Sequence, residues 1–166
     1  MKVLAIAFAA GALAIAGAAS AGGAGGSASG GSHLTVHNVF GLQTLELRNF
    51  GFSATQTADG TANGWFNYTE VDDGAAFHAD GSVWCMTAIG NDAWIGATIE
   101  HANDPSYNGL GAWWHVTDNG EGASAPADIT TFLGVGSLAD TQTFCDTHPA
   151  YKHAFAIDGG NIQIRN

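Results

Sequence analysis

The stretch Leu45-Glu46-Leu47-Arg48-Asn49-Phe50-Gly51-Phe52-Ser53-Ala54-Thr55-Gln56-Thr57 decides the fold class. Leu45 and Leu47 alternate with Glu46 and Arg48, which is the period-two pattern of a half-buried strand. The phase changes near Gly51, and a bulge is predicted there. A hairpin partner follows at Thr61 to Thr69, across a turn at Asp59-Gly60. Asp73-Gly74, Asp80-Gly81, Gly90-Asn91 and Asn119-Gly120 are further tight-turn dipeptides, in which Gly and Asn accept the positive φ that such turns require. Between them lie strand-length runs at Ala75 to Ala79, Ser82 to Ile89, Ala93 to Glu100 and Gly111 to Thr117. Ile129 to Leu133, Ala154 to Ile157 and Asn161 to Arg165 complete about nine strands. Ser137 to Thr147 is the one stretch read as a short helix. The predicted fold is all-β: a mainly antiparallel β-sandwich or closed β-barrel. The two long connections, His101 to Leu110 and Asp118 to Ala127, are where a rigid β scaffold tends to carry function.

Composition narrows the function classes. The 166 residues hold 4 Lys+Arg against 15 Asp+Glu, a formal net charge of -11. A nucleic-acid binder needs a basic face to neutralise phosphates, and this chain has none to offer. The same shortage argues against a polybasic membrane-surface protein.

The N-terminal segment reads as an address. Lys2 precedes an apolar run from Val3 to about Ala16, and Ala19-Ser20-Ala21 supplies small residues for cleavage. Residues Met1 to Ala21 are therefore read as a secretory signal peptide, and the mature chain is expected to have no membrane anchor. The expected location is secreted, periplasmic or cell-surface. Gly22 to Ser32 is a Gly/Ser/Ala tract, expected to be a flexible leader. A single β domain is then expected from His33 to Asn166. Cys85 and Cys145 are the only cysteines of this exported chain, and a disulfide between them is predicted.

Several stretches match a known family in register. They are Leu45 to Ala54 with Asp59-Gly60; Val83-Trp84-Cys85-Met86 with Gly90-Asn91-Asp92-Ala93; Val116 to Gly122; Asp128-Ile129; and Gly160-Asn161-Ile162-Gln163-Ile164. On these residues the chain resembles a widespread family of secreted bacterial β-domains of unknown function, of the post-choice-of-anchor type. The D-N-G-E-G stretch and the terminal G-N-I-Q-I strand are the most specific pieces. The resemblance implies a mostly β fold and export, and it supplies no catalytic residues. This chain departs from the pattern in its five tryptophans.

Three sets of side chains are candidates for chemistry. Asp118, Asn119, Glu121 and Asp128 offer hard oxygen ligands on a glycine-flexed loop, the chemistry of a Ca²⁺ site, with a structured turn as the alternative. The spacing is not that of an EF-hand. Asp118 and Glu121 also form the carboxylate pair that a glycoside hydrolase would need. Trp65, Trp113 and Trp114 are the candidate ligand platform, stacking on sugar rings or lining a cavity; core packing is the alternative. The seven histidines show no zinc-ligand spacing. The leading reading is an exported, non-enzymatic binding or structural module, calcium-stabilised through the acidic loop. A tryptophan-based small-ligand or carbohydrate binder is the second reading, and a hydrolase using Asp118 or Glu121 the third. The partners expected are an extracellular small molecule, a carbohydrate or a surface protein.

Overall fold

The computed structural model describes residues 25–37, 45–57, 59–122, 124–151 and 153–166. Met1 to Ala21, the segment expected to be a signal peptide, lies outside them. Ten strands are present among the described residues: β1 Ser27–His37, β2 Leu45–Gln56, β3 Ala62–Asp72, β4 Ala75–Ile89, β5 Asp92–Ala102, β6 Gly111–Thr117, β7 Ile129–Thr131, β8 Gly134–Gly136, β9 Ala154–Ala156 and β10 Gly159–Arg165. A 3-10 turn at Pro105–Tyr107 and one helix, α1 at Leu138–Thr147, complete the elements. All strands pair antiparallel in one sheet of order β10-β1-β2-β3-β4-β5-β6-β7-β9, with β8 also on β6. The sheet curls into a half-barrel rather than splitting into the two layers of a sandwich.

The core lies inside the curl. Trp114 is its centre, fully buried, with ring centroids 4.8 Å from Phe50, 5.5 Å from Phe66 and 5.8 Å from Phe52. Ile95, Ile99, Val116 and Ile162 complete the floor. Such aromatic contacts add roughly 0.5–1.5 kcal/mol each beyond the area they bury.

Three local expectations are corrected. The Gly/Ser tract is not a flexible leader along its whole length, because Ser27–His37 is a strand paired on both edges, to β10 and to β2. A Cβ on Gly30 would lie 2.5 Å from the Asn161 carbonyl oxygen, so the small residues that resemble a linker here let two strands meet. Asp80-Gly81 is not a turn. It is a register irregularity inside the continuous strand β4, where a Cβ on Gly81 would sit 1.9 Å from the Thr98 carbonyl oxygen. No bulge forms at Gly51, since β2 runs in unbroken register with β1 and β3. Glu46, Arg48, Phe50, Phe52 and Ala54 therefore share one buried face, while Leu45 and Leu47 face out.

The helix forms where expected. Ser137 and Asp140 make a reciprocal capping box at its start. It packs on the outer face of β4, β5 and β6. The close approach depends on missing side chains: a Cβ on Gly96 would lie 2.5 Å from Thr141 Cγ2, and one on Gly111 would lie 2.1 Å from Thr141 Oγ1. The predicted Cys85–Cys145 disulfide is present and ties α1 to β4.

Candidate functional site

The end of the half-barrel formed by the start of β2 and the finish of β3 carries charge inside. Glu46 and Arg48 are each only 7% exposed. They alternate with Phe50 and Phe52, so the pleat that buries the aromatics buries the ions too. Cross-strand register sets Arg48 opposite Glu70 and Glu46 opposite Asp72. Arg48 Nε donates to Glu46 Oε2 at 3.0 Å, and its Nη2 pairs with the same carboxylate. Nη2 also reaches Glu70 Oε1 at 3.1 Å, and Nη1 donates to the Tyr68 hydroxyl at 2.7 Å. The Tyr68 hydroxyl in turn donates to Glu70 Oε2 at 2.7 Å. Burial pushes the Tyr68 phenol far above its ordinary value, against the opposing pull of Arg48, so it remains a donor.

One face of the guanidinium is closed off by a ring. Phe132 and Leu133 leave the ladder between β7 and β8. The Phe132 ring lies 3.7 Å from the guanidinium carbon, a cation–π contact, and stacks on Phe155 at 4.4 Å. Beside this network a cavity of ≈ 340 Å³ is lined by Tyr68, Glu70, Phe77, Tyr107, Leu133 and Val135. Tyr107 comes from the 3-10 turn, which Asp104 caps by accepting the Ser106 N–H. Arg48 itself does not line the cavity. Its walls are three aromatic rings, two aliphatic side chains and one carboxylate.

The D-N-G-E-G loop does something other than what its oxygens suggest. Asp128 Oδ1 accepts the Asn119 N–H at 2.8 Å, and its Oδ2 accepts the Ile162 N–H at 2.7 Å. Asp118 Oδ1 accepts the Gly120 N–H at 2.8 Å, and its Oδ2 accepts the Ile164 N–H at 2.9 Å. Asn119 Nδ2 donates to the Ala127 carbonyl, and Glu121 Oε1 accepts from Asn161 and Gln163. Ile162 and Ile164, two residues apart, aim their N–H groups at the same strand edge. Among the described residues that edge of β10 has no strand partner, since β10 pairs there with β1 alone. The two aspartates thus tie the first strand of the sheet path to the β6–β7 connection. No group of three or more His, Cys, Asp or Glu side chains converges to hold a metal among the described residues. The acidic loop expected to bind Ca²⁺ latches onto β10, with Asp118 and Asp128 accepting from backbone N–H groups and Glu121 from side-chain amides. The same bonds hold Asp118 and Glu121 against β10, and Glu121 and Asp128 border a shallow cavity of ≈ 270 Å³ there.

The three candidate tryptophans do not meet. Trp114 is in the core. Trp113 is half-buried, its ring over Gly134 and Gly136 and its Nε1 donating to the Tyr151 hydroxyl at 3.2 Å. Trp65 is 50% exposed, at a position of β3 paired with Ser53 and Ser82. Trp94, which was not singled out, stacks 4.7 Å from His115 and 5.2 Å from His148. His115 Nε2 meets Asp92 Oδ1 at 2.9 Å.

No family model, curated protein or solved structure matches the chain. The site is therefore argued from its own geometry. Sequence reading missed the cup because a phase change was assigned at Gly51. Parity alone could have found it: Glu46 and Arg48 share the parity of Phe50 and Phe52, and Tyr68 and Glu70 that of Phe66.

Proposed function

We propose that this protein is an exported, non-enzymatic binding module that holds a small ligand in the cup between Tyr68, Glu70, Phe77, Tyr107, Leu133 and Val135. The observation that carries this reading is a buried ionic network set beside an aromatic cavity. Replacing a buried ion pair with apolar residues of similar volume is often neutral or stabilising. Stability alone therefore gives no reason to place Glu46, Arg48 and Glu70 inside this end. A cavity of a few hundred Å³ with apolar walls and few polar groups is the usual form of a ligand site. The N-terminal segment and the Cys85–Cys145 bond support export, since disulfides persist in oxidising compartments.

The test is a thermal-shift screen of the disulfide-bonded protein against small amphipathic molecules, cationic, neutral and anionic. A ligand at 100 times its Kd stabilises by about 2.7 kcal/mol, a shift of several degrees. Val135→Trp, which fills the cup, should remove the shift. Silence across all three classes, or shifts that survive Val135→Trp, would overturn the reading.

A second reading concerns carbohydrate at Trp65. Its exposed ring stands two residues from Asn67, beside an open trough lined by Gly31, His33, Asn49, Gly51, Asn67 and Asn161 among others. An exposed ring beside amides suits a sugar, with stacking on one and hydrogen bonds to the other. Glycan binding that Trp65→Ala leaves intact would dismiss it.

A further inference from the structure

Resting on the cup as a ligand site, we infer that its occupant is a small organic ammonium ion, with the charge facing Glu70 and the carbon substituents against Tyr68, Phe77 and Tyr107.

Charge is the first argument. Among the described residues the inner face at this end carries Glu46, Glu70 and Asp72 against Arg48, and of these Glu70 lines the cavity. Three carboxylates against one guanidinium leave a surplus of negative charge. Glu46 stands directly opposite Asp72 across the β2–β3 ladder, an arrangement of like charges that is unfavourable unless a cation is near. Asp72 Oδ1 is buried and has no hydrogen-bond partner. One guanidinium serves both Glu46 and Glu70, so neither carboxylate has a cation to itself. What the cavity presents is the carboxylate of Glu70, 25% exposed.

The walls are the second argument. Phe77 lies 6.3 Å from Tyr68 and 5.0 Å from Tyr107, centroid to centroid, so the three rings form one aromatic band along the cup. Aromatic faces carry negative potential and attract desolvated cations, quaternary ammonium above all. Leu133 and Val135 complete an apolar wall. An anion would meet Glu70. A neutral molecule would displace water from Glu70 without replacing its solvation. A bare metal ion would find no third ligand among the described residues. An ammonium ion with a carbon body satisfies the carboxylate and the rings together, and ≈ 340 Å³ suits a small one.

The experiment is calorimetric titration of the disulfide-bonded protein with choline, with dimethylbutanol as its neutral carbon isostere, and with acetate. Choline is expected to bind at least about tenfold more tightly than dimethylbutanol, the lower range of a desolvated cation–π and ion contact. Acetate should not bind. Glu70→Gln keeps the size of the side chain and should weaken choline about tenfold or more while leaving dimethylbutanol unchanged. Tyr107→Leu, on the 3-10 turn away from the Arg48 network, should also weaken choline; thermal melts confirm that both variants fold. Equal binding of choline and dimethylbutanol, or choline binding indifferent to Glu70→Gln, overturns the inference and leaves a neutral-ligand cup standing. No choline binding overturns it as well. The broader reading falls separately, if the full screen is silent or its shifts survive Val135→Trp.

Discussion

Asp128→Ala should be among the most damaging single changes outside the hydrophobic core. The carboxylate is 5% exposed and accepts two backbone N–H groups, Asn119 at 2.8 Å and Ile162 at 2.7 Å. A hydrogen bond to a charged group is worth about 1.5–3 kcal/mol net. Ile162 is fully buried, so its N–H, on the edge of β10 that faces no strand, would lose its only acceptor without gaining water. Asn119 lies in a partly exposed loop that water can reach, which places its loss at the lower end. Together the two come to about 3–5 kcal/mol, a large share of the roughly 5–15 kcal/mol that holds a domain folded. At about 4 °C per kcal/mol for a domain of this size, Tm should fall by about 12–20 °C. The controls follow the same geometry. Asp118→Ala loses an exposed Gly120 contact and a partly buried Ile164 contact, so about 1–3 kcal/mol. Glu121→Ala loses only exposed amide contacts, so less than about 1 kcal/mol. The assay is urea denaturation with m checked for constancy. A loss below about 1 kcal/mol for Asp128→Ala, or an order other than 128, 118, 121, would refute the latch.

Adding Ca²⁺ or excess EDTA should leave Tm unchanged within about 1 °C, because the Asp118 and Asp128 oxygens are held by backbone donors; a reversible shift would return the loop to the metal sites. Arg48→Met should destabilise by about 3–5 kcal/mol in denaturant melts, since it leaves buried Glu46 unpaired, and Glu46→Gln in the same chain should recover part of that. Burial lowers the His115 imidazole below its ordinary value of 6.5, against the pull of Asp92. Protonation therefore disfavours the folded state, so stability should hold above pH 6.5 and decline below it, and His115→Gln should flatten that decline in a Tm-against-pH series. Reducing Cys85–Cys145, which closes a separation of 60 residues, should cost up to about 4 kcal/mol, read by melts with and without reductant.

What the sequence made legible, and what it did not, has a physical division. Turns are local, so Asp73-Gly74 announced a hairpin, and both residues do take positive φ. The stretch Ser137 to Thr147 was legible as a helix, and the Ser137–Asp140 capping box that starts it is likewise local. Gly30 and Gly81 were misread because glycine serves equally in a flexible linker, in a turn, and where two backbones come close, and only the neighbouring strand decides which. The cup was hidden because hydrophobicity usually identifies the buried face, and here Glu46 and Arg48 lie on it while Leu45 and Leu47 do not. The latch was hidden because a carboxylate-rich loop looks the same whether its oxygens will meet a cation or a backbone N–H. The D-N-G-E-G and G-N-I-Q-I segments are 40 or more residues apart in the chain, yet they bond to each other.

Charge scarcity connects the two ends of the half-barrel. With 15 acids and 4 Lys+Arg, most carboxylates cannot find a cation within the chain. Many of them take hydrogen from backbone or hydroxyl donors instead. Asp59 is held by Thr57 and Thr61, Asp104 by Ser106 and Asp140 by Ser137, and each is lowered below the ordinary carboxylate value by those bonds, Asp59 to about 2. Their contribution is present above about pH 3.8 and fades as pH falls below it, a window well separated from that of His115. Asp118 and Asp128 follow the same rule at the edge of β10, where carboxylates stand in for a missing strand. The cup is where the rule stops. Arg48 is shared between Glu46 and Glu70, and Asp72 Oδ1 has neither a donor nor a cation. At the latch carboxylates meet backbone donors; at the cup Glu70 shares its guanidinium with Glu46 and faces a cavity walled by three aromatic rings, which is why we place the ligand there and give it a positive charge.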